Sequence, residues 1–222
     1  MSENVSETSK CRERLAPYCV GNGVDLGCGG DLIVPDAIGV DMPRPYTSVG
    51  DRPVHLKGDA TMLQWFRDEA LDYIYSSHLL EDFQNTQEIL TEWLRVIKVG
   101  GYLSLFLPVE QVYREHCKKT GQTYNLAHKV PEMSLDYIRR VYDRIGVTEE
   151  VHANALINEY SFEVVVKKVK PMPASADYGP TYAKRIRELE WTIDEIKNSP
   201  TFKMGERIAK VARVFSLAKK GQ

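Results

Sequence analysis

Gly23-Val24-Asp25-Leu26-Gly27-Cys28-Gly29-Gly30 decides the reading of this 222-residue chain. The short apolar run predicts a strand, and the glycines after it predict a tight turn at a sheet edge. Glycine there lets the backbone take positive φ and lets a ligand approach where a Cβ would collide. Asp25 leaves a carboxylate near the strand tip. A second short strand, Ala37-Ile38-Gly39-Val40, ends in another acid, Asp41. An acid after the second strand of an α/β unit commonly holds the two hydroxyls of a ribose. Glycine turn and acid together predict a nucleotide-like ligand.

Two common phosphate-binding loops are excluded. Gly27-Cys28-Gly29 runs into Gly30-Asp31-Leu32-Ile33, so the third glycine of a dinucleotide loop is missing and Asp31 would repel a pyrophosphate. No Gly-Lys-Ser/Thr follows, as a Walker loop requires. The carboxylate at position 25 suits a cationic ligand instead. The pattern hydrophobic-Asp-Leu-Gly-Cys-Gly closely resembles motif I of the class I S-adenosylmethionine-dependent methyltransferases, whose ligand carries an ammonium and a sulfonium.

The resemblance continues in register. Asp41 stands where that family places its ribose-binding acid, with Met42 beside it. Gly58-Asp59-Ala60 follows Val54-His55-Leu56 and matches the motif whose Asp accepts from the adenine amino group. Leu71-Asp72-Tyr73-Ile74-Tyr75-Ser76-Ser77-His78-Leu79-Leu80-Glu81 is similar to the fourth strand and its exit. Val99-Gly100-Gly101-Tyr102-Leu103-Ser104-Leu105-Phe106 is similar to a helix end and the fifth strand. Similarity to the type-11 branch thus spans roughly residues 20 to 168. It implies an α/β fold: a Rossmann-like class I methyltransferase sheet, mostly parallel, with an antiparallel C-terminal edge hairpin. It also implies S-adenosylmethionine as cofactor, S-adenosylhomocysteine as product, and a cofactor site of Asp25, Leu26, Gly27, Cys28, Gly29, Asp41, Met42, Asp59, Ala60, Ser76, Ser77 and His78. One departure is the short connection Asp31–Asp36, which has no room for the usual helix of about 11–12 residues. Pro35 breaks any continuation, so a loop or single turn is expected there. A sub-branch reading D-L-G-C-G-x-x-x-x-P-G-x-I-G-V-D shares this shortening.

Composition fits a globular protein: 43% hydrophobic residues, with no run near the ~18 apolar residues of a membrane span. The polar start Met1-Ser2-Glu3-Asn4 lacks the apolar core of a signal peptide. Cys11, Cys19, Cys28 and Cys117 show no metal-ligand spacing, and reduced thiols in a cytoplasmic protein are expected. Four parts are expected: a tail with a short helix over 1–19, the methyltransferase domain over 20–170, a linker over 171–180, and a basic helical appendage over 181–222.

Periodicity places the remaining elements. Residues 1–9 read as a mobile polar tail and Cys11–Tyr18 as a short helix covering a sheet edge. Ile89, Leu90, Trp93, Leu94 and Ile97 form one apolar stripe, predicting a helix over Thr86–Lys98. Asn85 with Glu88 resembles a capping box, and Gly100 suits a C-terminal cap. Ser134 opens another helix, with Leu135, Ile138, Val141, Tyr142 and Ile145 on one face and Gly146 past its end. Two last strands follow, near Gly146–His152 and Tyr160–Lys168.

Methyl transfer from a sulfonium asks mainly for alignment of the incoming nucleophile. A hydroxyl nucleophile also gains from a general base, for which His suits neutral pH. His78, just past the fourth strand, and His128, in Asn125-Leu126-Ala127-His128-Lys129, are the candidate catalytic bases. His116 reads as a solvated helix residue; His55 and His152 read as strand neighbours. Tyr113 and Tyr124 are candidates to line the acceptor pocket. The type-11 branch often reads H-x-x-E-H after strand four, whereas this chain has His78-Leu79-Leu80-Glu81-Asp82, and no metal is expected. The Asn/Asp-Pro-Pro-aromatic motif of the amino-methyltransferases of nucleic-acid bases is missing.

After Pro171-Met172-Pro173-Ala174-Ser175-Ala176 the composition changes. Tyr182, Ile186, Leu189, Ile193 and Ile196 step as a short heptad register. Met204, Ile208, Val211 and Phe215 mark a second amphipathic helix. Residues 181–222 hold ten Lys/Arg against five Asp/Glu, so the rest of the chain is acidic and a poor match to nucleic acid. Such a tail predicts packing on its own domain, a homodimer or partner protein, or peripheral contact with an anionic membrane, at the inner face in a bacterium. Glu190–Gly205 resembles tails of bacterial surface-polysaccharide glycosyltransferases and methyltransferases. That implies O-methylation of a sugar or lipid-linked glycan. A small-metabolite acceptor, or a cofactor-binding scaffold without turnover, are the alternatives.

Overall fold

The computed structural model describes residues 6–42 and 54–173. The chain divides into two units, Met1–Met172 and Pro173–Gln222. The heptad helix, the second amphipathic helix and most of the linker lie outside the described residues.

The first unit is built on a seven-stranded sheet: β1 Gly23–Leu26, β2 Ile38–Asp41, β3 Leu56–Lys57, β4 Leu71–Ser77, β5 Ile97–Pro108, β6 Thr148–Ile157 and β7 Ser161–Lys168. Their order is β3-β2-β1-β4-β5-β7-β6. β1 to β5 pair in parallel, and β7 inserts antiparallel between β5 and β6. This is the expected Rossmann-like methyltransferase sheet with its antiparallel edge hairpin. The strand order reverses between β1 and β4, so their carboxyl ends open a crevice where open α/β sheets bind ligands.

Alternation along the central strands sorts the core into two faces. Ile74, Leu105, Val164 and Val166 point to a core shared with the helices α2, Thr86–Val96, and α4, Leu135–Ile145. Tyr73, Tyr75, Phe106 and Val165 point to the other face. No helix joins β1 to β2, as the short connection predicts. Instead α1, Glu7–Leu15, covers that face with Cys11 and Leu15, helped by Leu32 and Ile33 of the connection itself.

α1 starts four residues earlier than the sequence pattern indicates. Ser6 caps it by accepting from Ser9 N at 3.0 Å, Glu7 favours the positive end of the helix, and Thr8 is buried. Residues 7–9 are therefore ordered helix rather than mobile tail. Arg14 reaches Glu163 of β7 at 2.9 Å, and the buried Glu163 also meets His152 at 2.9 Å and Asn154 at 2.6 Å.

The second correction concerns α2. It ends at Val96, and Ile97 and Lys98 already belong to β5. Ile97 pairs with Leu71, then the register slips until Tyr102 meets Tyr73. Gly100, at φ 92, serves this irregular stretch of strand and not a helix cap. Asn85 reaches the Glu88 side chain at 3.2 Å without capping the backbone. α4 follows its sequence signals: Ser134 accepts from Tyr137 N, and Gly146 closes the helix in the left-handed conformation. α3, Glu110–Thr120, leaves the end of β5 and presents its first turns to the crevice.

Candidate active site

The glycine turn follows β1 directly. Gly27 and Gly29 take φ of 71 and 52, and a Cβ on Gly27 would press on Leu79 at 3.0 Å. Two bonds fix the turn to β2. Gly27 N donates to Val40 O at 2.8 Å, and Gly29 N donates to Asp41 Oδ2 at 2.8 Å. The second Asp41 oxygen accepts from Met42 N at 2.7 Å.

Asp25 is placed differently from the face a cationic ligand would need. Its carboxyl is 1% exposed, accepts from Ile33 N at 2.7 Å and braces the connection after the turn from beneath. Burial, with Asp31 and Asp41 adding to it, pushes this carboxyl well above the usual carboxylate range. Asp31, in the place of the third glycine, is held by Arg12 at 2.5 Å and by the Ser6 hydroxyl, so it anchors α1 to the turn.

A cavity of about 270 Å³ opens beside Gly27, Cys28 and Gly29. Of the expected site residues, Gly27, Cys28, Gly29, Ser77, His78, Tyr113 and His128 border it. Leu26 and Ser76 lie buried behind it, with Ser76 Oγ donating to Leu26 O at 3.0 Å. Asp59 stands apart, its Oδ1 accepting from Thr61 N at 2.8 Å and Thr61 Oγ1 at 2.6 Å. Ala60 is buried next to it, its carbonyl accepting from Trp93 Nε1 at 2.7 Å, and Met42 is exposed. Tyr124 sits behind His128, its hydroxyl bonded to Glu110.

The two candidate bases differ sharply. His78 follows β4 in a left-handed conformation, φ 46, with its N–H donating to Phe106 O at 2.9 Å. Its Nε2 is 3.2 Å from Ser161 Oγ and 3.4 Å from Glu7 Oε2. Burial drives its pKa down to about 4, against the pull of Glu7, so the ring is neutral at pH 7. His128 is held from behind. Its Nδ1 donates to Glu110 Oε2 at 2.8 Å, which directs Nε2 toward Glu81 Oε1, 3.7 Å away. Burial raises the Glu110 carboxyl, but hydrogen bonds from Tyr124, His128 and Arg114 outweigh it and leave it below the usual range. The Tyr113 ring lies 5.0 Å from the His128 ring.

The depressed His78 pKa has a consequence for stability. A histidine whose folded pKa lies below its unfolded value near 6.5 contributes stability above 6.5, lost as pH falls toward about 4. Relative to His78→Gln, the wild-type chain should lose up to about 3 kcal/mol across that window. Urea unfolding at pH 7 and pH 4.5 checks this; parallel losses in both proteins would refute it.

The Methyltransf_11 model, a methyltransferase domain, matches residues 24–105. No curated protein matches the sequence. Among solved structures, the fold resembles a Haloferax volcanii chain solved in complex with the Trm112 methyltransferase activator (16% identity, 72% of this chain and 89% of that one, TM-score 0.54). It also resembles S-adenosylmethionine-dependent methyltransferases from Mesorhizobium loti (12%, 75% and 100%, 0.53) and Archaeoglobus fulgidus (18%, 72% and 94%, 0.51). Residues 24–105 thus match a methyltransferase domain, in a chain with the fold of S-adenosylmethionine-dependent methyltransferases. The site fits that cofactor: the cavity opens directly on the glycine turn, with Asp41 bracing the turn from the β2 tip.

Three glutamates of the site escaped the sequence reading. Glu7 arrives from α1, with no local signal of its place. Glu81 shows itself in sequence only as part of an altered motif. Glu110 follows directly on β5, and that position at a strand's carboxyl end is a readable cue. His116 is half-buried against Tyr160, ring centroids 5.0 Å apart, rather than solvated. His55 and His152 lie beside β3 and within β6 as expected. All four cysteines are buried and unpaired. Among the described residues no helix is long and apolar enough to cross a membrane, and no group of three or more His, Cys, Asp or Glu is arranged to hold a metal ion.

Proposed function

We propose that this methyltransferase acts on a hydroxyl of a small polar acceptor, a sugar hydroxyl foremost, with His128 as general base. The observation that carries this reading is the Glu110–His128 pair at the cavity wall. A buried carboxylate on Nδ1 fixes the tautomer, leaving Nε2 free to accept a proton. S-adenosylmethionine supplies an electrophilic methyl, which leaves the protein the tasks of alignment and proton removal. His128 receives the hydroxyl proton at Nε2, and Glu110 stabilises the imidazolium. His78, too weak a base at a pKa of about 4, forms the wall next to β7. Tyr113 lines the acceptor side. Turnover on a monosaccharide panel by the wild-type chain and His128→Asn tests the reading; equal rates would overturn it. The basic segment 181–222 extends the reading to a saccharide carried on a lipid at a membrane surface, with a small free metabolite as the second acceptor class.

For the cofactor, the glycine turn would receive the methionine end, Asp41 the ribose and Asp59 the adenine amino group. Asp41→Asn keeps an acceptor for Gly29 N but removes the charge. Its affinity for S-adenosylhomocysteine should fall about tenfold, a loss of one charge-assisted hydrogen bond. Calorimetry reads this directly, and unchanged affinity would remove Asp41 from the site.

A further inference from the structure

The cavity wall carries three carboxylates, Glu7, Asp31 and Glu81, and no lysine or arginine. Asp31 is satisfied by Arg12 and Ser6. Glu7 uses Oε1 on Lys10 at 2.6 Å and Tyr160 at 3.3 Å, while its Oε2 has no hydrogen-bond donor. Glu81 is the more unusual group. It is 1% exposed, its Oε2 has no donor, and its Oε1 stands 3.7 Å from both His78 Nδ1 and His128 Nε2, beyond hydrogen-bond reach. Its own backbone N–H bonds the side chain, but a buried carboxylate oxygen without a donor opposes folding. Its position is nevertheless fixed, because Glu81 O accepts from Lys129 N at 2.8 Å next to His128.

We propose that Glu81 binds the ammonium group of an acceptor whose methylated hydroxyl sits on the neighbouring carbon, so that the substrate is a vicinal amino alcohol such as a 2-amino sugar. The substrate class deepens, and rests on, the assignment of His128 as base. The spacing points to the class: for an acceptor that offers its hydroxyl to His128 Nε2 and a cation to Glu81, 3.7 Å apart, two groups on adjacent carbons span the gap. An ammonium brings three donors to a wall short of donors, whereas a neutral hydroxyl brings one. The negative charge of Glu7 adds to the attraction. A carboxylate or phosphate acceptor would meet like charge with no cation to receive it. Burial, with Asp82, Glu110 and Glu7 adding to it, pushes the Glu81 carboxyl well above the usual range, and a cation beside it favours the ionised form.

The full-length chain, saturated with S-adenosylhomocysteine, is titrated by calorimetry with D-glucosamine and D-glucose, and with 2-aminoethanol and ethylene glycol. The amine of each pair should bind at least tenfold more tightly, and Glu81→Gln should bring each pair within twofold while leaving cofactor affinity unchanged. Glu81→Asp, with its charge drawn back by one methylene, should keep part of the preference. Three results would overturn the proposal: no preference for amines, a preference that survives Glu81→Gln, or a tenfold loss of S-adenosylhomocysteine affinity in that variant, which would give Glu81 to the cofactor's own amino group. Because binding needs no base, His128→Asn should retain the amine preference. Failure of the base assignment is then read separately, from methyl transfer.

Discussion

His128→Asn should lower turnover by about 10²–10⁴-fold while leaving S-adenosylmethionine affinity within twofold, the range expected for loss of a positioned general base. Asn keeps a polar group of similar reach but cannot take a proton near neutral pH. Glu110→Gln separates positioning from base chemistry. The amide oxygen can still accept from Nδ1–H, so the 2.8 Å contact can persist, but the negative charge behind the ring is lost. Turnover of this variant should fall as well, because an imidazolium formed at His128 loses its nearest counter-charge. Undiminished turnover in His128→Asn would leave alignment as the protein's whole contribution.

The largest effect on stability is expected at Trp93. Its side chain is fully buried in the core between α2 and the sheet, and its Nε1 donates to Ala60 O at 2.7 Å. Trp93→Ala should cost about 3–5 kcal/mol, the lost transfer of a large aromatic plus the cavity left behind. Trp93→Phe keeps most of the volume and removes the donor. The Ala60 carbonyl then lies buried without its partner, at a cost of about 1–3 kcal/mol. The Phe variant should also affect the site, since Ala60 adjoins the turn in which Asp59 is held by Thr61. Cofactor affinity should fall severalfold in Trp93→Phe at a temperature where it is still folded. Urea unfolding and calorimetry read the two effects independently, and a Phe variant with native stability and affinity would refute the coupling.

What the sequence disclosed follows a physical division. Features set by neighbours in the chain were readable: the glycine turn after β1, Asp41 at the β2 tip, the Ser134 and Gly146 caps of α4, and the antiparallel pair β6–β7. Features set by distant partners were not. Arg12 finds Asp31, and Glu7 finds His78, only once the sheet has brought them together. Asp25 carries the family motif, yet its strand parity turns the carboxyl to the inner face under Ile33. The end of α2 was misjudged because the apolar stripe runs on through Ile97, which is buried equally well as the first residue of a strand. His78 and His128 were equal in sequence; only the surroundings of each ring separate them.

The missing helix between β1 and β2 also sets a timetable. Where that crossover exists, a face of the sheet is covered by residues made between its own strands. Here the cover is α1, whose contacts extend to residues synthesised much later: Cys11 with Tyr75, 64 positions on, and Arg14 with Glu163, 149 positions on. During translation the surface on which α1 docks is complete only once β7 has left the ribosome. A chain made vectorially therefore closes this layer last, with Cys11 and Leu15 open to solvent or to a chaperone in the meantime.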